Sequence, residues 1–293
     1  MISIIIPTKN VEKYIAQTIL SVQAQTEQDW ELLIMDNSDD GTPQIVQGFC
    51  NDKRISFVHQ SDESPWQATD NGIALSRGEY LVILGGQDGF LEPTWLETAV
   101  KELDSGHYYD LVFGATRAMS EDGELQDEMH VAYSHFFQPE GPQFLELIKK
   151  IGKVSAWKKL CSPSRRYRLN FLLSRKVDNW FDYWRKTGAV FPDQASVVRK
   201  SVYLDCAEKY PVGSKKVNHW TAFNFNFNVR GYKAKLLPIL ATYGRNHRGS
   251  TADRIPQELL DEQEKYYEKI SKLKLDWKYP SSPPVWTVDG KEV

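Results

Sequence analysis

The chain of 293 residues is 41% hydrophobic and 26% charged, an ordinary globular balance that excludes a disordered polypeptide. A formal net charge of -3 excludes a protein built throughout to hold nucleic acid, and no apolar run reaches the roughly 18 residues that a membrane-spanning helix needs. Three widely spaced cysteines, Cys50, Cys161 and Cys206, fit reduced thiols in a cytoplasmic chain better than a disulfide framework or a zinc site.

The opening MISIIIPTKN has no basic lead and no cleavage site, so Ile2–Ile6 reads as a strand and not a signal peptide. Its short, largely β-branched apolar run is that of a strand buried on both faces, and Pro7 is expected to end it. Asn10 is placed as the N-cap of a helix carrying Val11, Tyr14, Ile15, Ile19 and Val22 at helical spacing. Trp30–Met35 is a second strand, running into the dense polar loop from Asp36 to Thr42. Pro43 opens a helix to about Cys50. Ile55–His59 is a third strand, 66–77 a helix, and Tyr80–Leu84 a fourth strand that ends in Gly85-Gly86-Gln87-Asp88-Gly89. Pro93 opens another helix. This alternation predicts an α/β fold: an open, Rossmann-like mixed sheet, mainly parallel and flanked by helices. Ligands of such sheets bind at the carboxyl ends of the strands, where Thr8, Asp36 and Asp88 stand.

Past residue 108 the pattern loosens. Tyr108–Ala118 reads as a strand, Phe191–Val198 as extended, Lys200–Tyr210 and 219–230 as helical, and Lys233–Tyr243 as a strand. Ile255–Lys274 is a charged amphipathic helix, and the last twenty residues form a Pro- and Trp-containing tail without regular period. Charge is unevenly spread. From Leu147 to Val177 there are ten Lys and Arg residues and no acid, interleaved with Trp157, Tyr167 and Phe171. Such a segment serves as a solvated helical face or as a surface for anionic lipid.

No Gly-x-Gly-x-x-Gly follows the first strand and no Walker loop exists, which argues against a dehydrogenase or an ATPase. Single acids stand at the strand ends instead. A carboxylate repels a bound diphosphate unless a hard divalent cation lies between them. The expected ligand is therefore a nucleotide diphosphate with Mn2+ or Mg2+.

The ordered segments IIIPTKN, ELLIMDNSDDGT and DESPWQATDNGIALSRGEYLVILGGQDGFLEP resemble the family 2 glycosyltransferases of the GT-A fold. Tyr243-Gly-Arg-Asn-His-Arg-Gly-Ser-Thr resembles that family's Tyr-Arg-x-His-x-Gly-Ser. The likeness is close over residues 1 to about 100 and loose over 190–252. It implies a nucleotide-diphosphate sugar donor and an inverting transfer to a glycan or polyprenyl-phosphate-linked acceptor in cell-surface polysaccharide synthesis. It implies no nucleic acid partner. The expected organisation is a donor-binding half at 1–105, an acceptor-binding half at 106–252 with a basic helical insertion at 142–186, and a C-terminal helix and tail at 253–293. The expected location is the cytoplasm, peripheral at the inner face of the membrane through 147–177.

By that resemblance Pro7, Thr8, Asn10, Asp36, Asp62 and Asp70 surround the nucleotide base and ribose. Asp88 is the metal-binding carboxylate, and His247 reaches the metal or the diphosphate. The chain also departs from the family. The first acid of the metal motif falls at Gly85, Gly86 or Gln87, none of them acidic; Gln67 replaces a usual Asp, and Asp70 a usual Asn. A degenerate domain that holds nucleotide sugar without turnover is therefore the alternative. The family's general base falls just before the 219–230 helix, where no carboxylate occurs. His219 is the first candidate for that role and Asp193 the second. Trp220 is either a stacking platform for an acceptor sugar or a core residue.

Overall fold

The computed structural model describes residues 1–61, 65–130, 133–134, 189–208, 219–247, 274–276, 285–288 and 291–292. In chain order the first elements are β1 (Ile2–Thr8), α1 (Ile15–Gln23), β2 (Trp30–Asp36), α2 (Thr42–Gln47), β3 (Ile55–His59), α3 (Pro65–Leu75) and β4 (Tyr80–Ile83). Then follow β5 (Gly89–Phe90), α4 (Trp95–Leu103), β6 (Leu111–Met119), β7 (Leu125–His130), β8 (Tyr133–Ser134), β9 (Ala189–Val190) and β10 (Ser196–Arg199). The last are α5 (Lys200–Glu208), α6 (His219–Val229), β11 (Ala234–Arg245), β12 (Lys274–Asp276), β13 (Val285–Val288) and β14 (Lys291–Glu292).

Nine strands form one sheet in the order β3-β2-β1-β4-β10-β6-β11-β5, with β7 paired to β6. Strands β1 to β4 are mutually parallel and β6 and β11 run parallel to each other, while β10 and β5 are antiparallel to their neighbours. This is the open, mainly parallel, helix-flanked sheet the sequence predicts. The sheet runs unbroken across the expected division at 105/106.

The apolar runs of β1 and β2 have a plain cause. Ile2, Ile4 and Ile6 join the core that holds Ile15, Ile19 and Val22 of α1. On the other face Ile5 and Met35 meet α3 at Gly72, whose missing side chain lets the helix sit close. Both faces of the sheet are covered, so the strands are mainly apolar, and the buried exceptions are paired: the Ser3 hydroxyl donates to the Glu31 carboxylate at 2.6 Å.

Several expectations need correction. Pro7 does not end β1, which runs on to Thr8. Strand β4 pairs with β1 only from Ile2 to Ile5, and Leu84 closes that ladder on the Ile5 carbonyl. The nitrogen of Pro7 points to that side, past the last pairing, where no donor is required. Asn10 is no N-cap: α1 begins at Ile15, after a turn in which the Ile15 amide bonds the Val11 carbonyl. The tail is not without period, since β12, β13 and β14 pair into an antiparallel meander. The same meander makes Lys274 a strand residue and not the end of a helix. The expected helix at 255–273 and the basic insertion at 142–186 lie outside the described residues.

Candidate functional site

The carboxyl ends of β1 and β2 stand in register, with Thr8 opposite Asp36. Asp36 is fully buried. Its Oδ1 accepts the Thr8 hydroxyl at 2.7 Å and the Ser38 hydroxyl at 2.6 Å, and its Oδ2 accepts the Ser38 amide at 3.2 Å. The loop that follows is stitched to the loop after β1. Asn10 donates its amide to the Ser38 hydroxyl at 2.8 Å and accepts the Asp39 amide on Oδ1 at 2.9 Å. Its φ of 55° is left-handed, a conformation Asn tolerates better than most residues. Val11 donates to the Thr42 hydroxyl at 3.0 Å, and the Glu12 carboxylate accepts the Gly41 amide at 2.7 Å. Two polar loops thus become one fixed rim beside the partly exposed Pro7. Beyond it an open cleft of about 500 Å³ lies between β3 and α3, lined by Val58, Gln60, Ser61, Gln67, Asn71 and Leu75 among others. Asp70 is exposed on α3 and is not among the lining residues. Asp62 lies outside the described residues.

A second cluster stands at the end of β4. The turn closes with the Asp88 amide on the Gly85 carbonyl at 3.0 Å. Thr18 of α1 donates its hydroxyl to the Gly86 and Asp88 carbonyls at 3.0 and 2.6 Å. The Asp88 carboxylate accepts the Arg245 amide on Oδ1 at 3.0 Å. Its Oδ2 lies over Gly85, where a Cβ would come within 2.5 Å, so only glycine permits this approach. Burial pushes the Asp88 carboxyl up to about 7, and the charge of Asp193 adds to the rise. Burial raises the Asp193 carboxyl as well. Asp193 precedes β10, and β10 lies beside β4 in the sheet, which is why two acids 105 positions apart share one site.

Arg245, the last residue of β11, is buried and grips four oxygens. Its Nη1 donates to the Ser120 and Glu121 carbonyls at 3.1 Å each, Nη2 to Gln17 Oε1 at 2.6 Å, and Nε to the Gln87 carbonyl at 3.4 Å. The cation stands 4.9 Å from the Tyr14 ring centroid. His247 packs against the other side of this corner, its ring 4.9 Å from Tyr14. The sequence reading took the histidine of that motif and missed the arginine. The signal was present, because Arg245 sits in the same Tyr-Gly-Arg-Asn-His stretch.

Of the two readings of Trp220, the structure bears out the core residue. Its indole donates to the Phe191 carbonyl at 2.7 Å, and its ring stacks on Phe223 at 4.9 Å, so it is a core residue and not a sugar platform. His219 is the first residue of α6.

Among the described residues no three His, Cys, Asp or Glu side chains gather. Asp88 and Asp193, both partly exposed, still offer hard oxygens to a divalent ion. Two carboxylates fall well short of the octahedral shell of Mg2+. The residues therefore fit a divalent ion that also takes oxygens from a diphosphate.

The sequence matches the model of Glycosyl transferase family 2 over residues 3–157, just over half of the chain. EpsH of Bacillus subtilis (strain 168) is 26% identical over 207 residues, which cover 69% of this chain and 59% of EpsH. The chain thus spans less than two thirds of that relative's length. The Mannosyltransferase PcManGT from Pyrobaculum calidifontis, in complex with GDP-Man and Mn2+, superposes with a TM-score of 0.58 at 14% identity, covering 95% of this chain and 65% of that one. S. aureus TarS in complex with UDP-GlcNAc superposes with a TM-score of 0.57 at 15% identity, covering 92% and 70%. These likenesses establish the fold, which is GT-A.

Proposed function

The chain belongs to glycosyl transferase family 2, and from that premise we propose that it moves a sugar from a nucleotide-diphosphate donor to a hydroxyl of a glycan or lipid-linked acceptor, with inversion. The observation that carries the reading is the placement of Asp88 after β4 and of Asp193 before the neighbouring β10, beside the rim made by Thr8, Asn10 and Asp36. The donor class is supported by the nucleotide sugars bound to TarS and PcManGT, UDP-GlcNAc and GDP-Man. The fixed rim and the adjoining cleft would take the nucleoside, in line with the α/β rule for ligands at strand ends.

Asp88 would hold the divalent ion, as Mn2+ accompanies the donor in PcManGT; bound there, the ion neutralises charge on the departing diphosphate. The rest falls to the chain. Arg245 fixes Asp88 through its amide and braces the corner behind it. The acceptor hydroxyl oxygen attacks the anomeric carbon, the bond from that carbon to the diphosphate breaks, and the diphosphate leaves with the electron pair. The hydroxyl proton goes to a general base. Asp193 is our first choice, because it stands ahead of β10, which lies beside β4, and burial raises its carboxyl, making it a better proton acceptor than an ordinary carboxylate. His219 is the second. The basic segment 147–177 would meet a polyprenyl-phosphate-linked acceptor or anionic lipid, placing the protein at the inner face of the membrane in a cell-surface polysaccharide pathway. Among the described residues no helix is long and apolar enough to cross a membrane.

A thermal-shift panel of UDP- and GDP-sugars with and without Mn2+ identifies the donor, since a ligand in excess stabilises by RT ln(1 + [L]/Kd). With that donor, Asp193→Asn should lower transfer by at least about 100-fold while donor affinity stays. Loss with His219→Ala and not with Asp193→Asn moves the base to the helix start. Donor binding by the parent without transfer or donor hydrolysis supports the alternative, a degenerate domain, which the shortage of acids around Asp88 favours.

A further inference from the structure

We propose that Trp220 and Asn224 of α6 are positioning residues that fix the direction of Asp193, ahead of β10, by gripping both backbone groups of Phe191. The proposal rests on the role of Asp193 given above.

Phe191 stands two residues before Asp193. Its amide donates to Asn224 Oδ1 at 2.8 Å, and its carbonyl accepts the Trp220 indole N–H at 2.7 Å. Trp220 and Asn224 are one helical turn apart, so they present their polar atoms to one strand segment together. They are also tied to each other, since Asn224 Nδ2 donates to the Trp220 carbonyl at 2.8 Å. Asn224 is fully buried and Trp220 nearly so. The Phe191 ring anchors the same point, packed on Phe113 at 5.1 Å and edge-on to Phe227 at 5.3 Å. Past the grip, Pro192 supplies no amide, and its carbonyl is taken by the Ser196 hydroxyl at 2.6 Å. The Asp193 carbonyl accepts the Ser196 amide at 3.2 Å, and its carboxylate accepts the Gln194 amide at 3.0 Å. From Phe191 to Ser196 the backbone therefore has little freedom, and Asp193 inherits its direction from that. Burying an asparagine amid Phe223 and Phe227 costs free energy that an aliphatic residue would not. A position that needs the Phe191 amide held accounts for it.

The same helix supplies a control. Asn226 is equally buried, but its amide donates to the Cys206 carbonyl at 2.8 Å, away from Phe191. The test compares Trp220→Phe, Asn224→Ala and Asn226→Ala in the full chain. Trp220→Phe keeps an aromatic ring in the stack and deletes the N–H, and it also removes part of the ring volume, so its loss of stability is measured alongside. Two readouts are taken: hydrogen exchange of the segment 189–199, and kcat and donor KM for transfer. Expected are faster exchange in that segment for Trp220→Phe and Asn224→Ala and a kcat lower by about 10-fold or more, since a small misplacement of a reacting group costs up to 100-fold. Donor KM should stay within about twofold, and Asn226→Ala should match the parent in both readouts despite its own loss of stability. The proposal is overturned if Asn226→Ala loses kcat as much as Asn224→Ala, which would mark general destabilisation. It is equally overturned if Trp220→Phe speeds exchange yet keeps full kcat. A parent that transfers no sugar overturns the proposed function instead, and the exchange readout then decides the grip alone.

Discussion

Asp88→Asn should stabilise the protein in alkaline solution. In the fold the Asp88 carboxyl is raised from an ordinary 3.8 to about 7, by burial and by the neighbouring Asp193 charge. The native state therefore holds its proton more tightly than the unfolded chain does. Stability contributed by that proton is complete below about pH 4, falls as pH rises, and is gone above about pH 7. At 1.36 kcal/mol per pH unit, the gap is worth at most about 4 kcal/mol. Asparagine carries no proton to lose, and its carbonyl oxygen still accepts the Arg245 amide that Asp88 accepts at 3.0 Å. The assay is urea unfolding of parent and variant at half-unit steps from pH 4 to pH 8.5. The two should be near-equal at pH 4, with the variant gaining steadily to an advantage of a few kcal/mol at pH 8. Mn2+ at pH 8 should stabilise the parent and leave the variant unmoved. Parallel curves across the whole range would refute the reasoning, because they would mean that Asp88 is no less comfortable charged inside the fold than outside.

Arg245→Lys keeps the charge but not the planar fork that reaches Ser120, Glu121 and Gln17, so unfolding free energy should drop by about 1–3 kcal/mol in urea titration. Gly72→Ala puts a Cβ 2.6 Å from Ile5 and 3.0 Å from Met35, and should cost about 1–3 kcal/mol in the same assay, against the usual gain of alanine in a helix. Neutralising Arg165, Arg166 and Arg168 to Gln should weaken binding to anionic vesicles, at about 1 kcal/mol per charge, with the parent's binding fading as salt is raised; vesicle binding unchanged by the substitutions rejects the membrane role.

The strands from β1 to β4 were legible to within a residue or two, because each is a mainly apolar run bounded by polar or turn residues, whereas α1 starts and α2 ends several residues from where the pattern put them. What local pattern cannot carry is which strand lies beside which. That Asp193 comes to the same end of the sheet as Asp88 depends on β10 slotting in beside β4, and no periodicity announces that. Arg245 was missed for a related reason. A charged residue at a strand end reads as solvated, and its burial depends on oxygens from Gln17, Gln87, Ser120 and Glu121, all more than a hundred residues upstream. Asn10 was misplaced because a polar residue before an apolar period looks like a cap, whereas its left-handed backbone is set by the loop after β2. Trp220 could not be settled from composition, since the choice between platform and core turns on where Phe191 lies.

Strand β11 fills the space between β6 and β5, pairing parallel to one and antiparallel to the other. It does so after more than two hundred residues have already been made. Until it arrives, a nascent chain exposes the long apolar edge of β6, a template for wrong pairing, and Asp88 lacks the Arg245 amide. Closure over such a separation is slow compared with a hairpin. The molecule thus leaves the corner around Asp88 unfinished until synthesis has passed Arg245, and a ribosome-stalled or clipped product ending earlier would present chaperones and proteases with an open sheet edge.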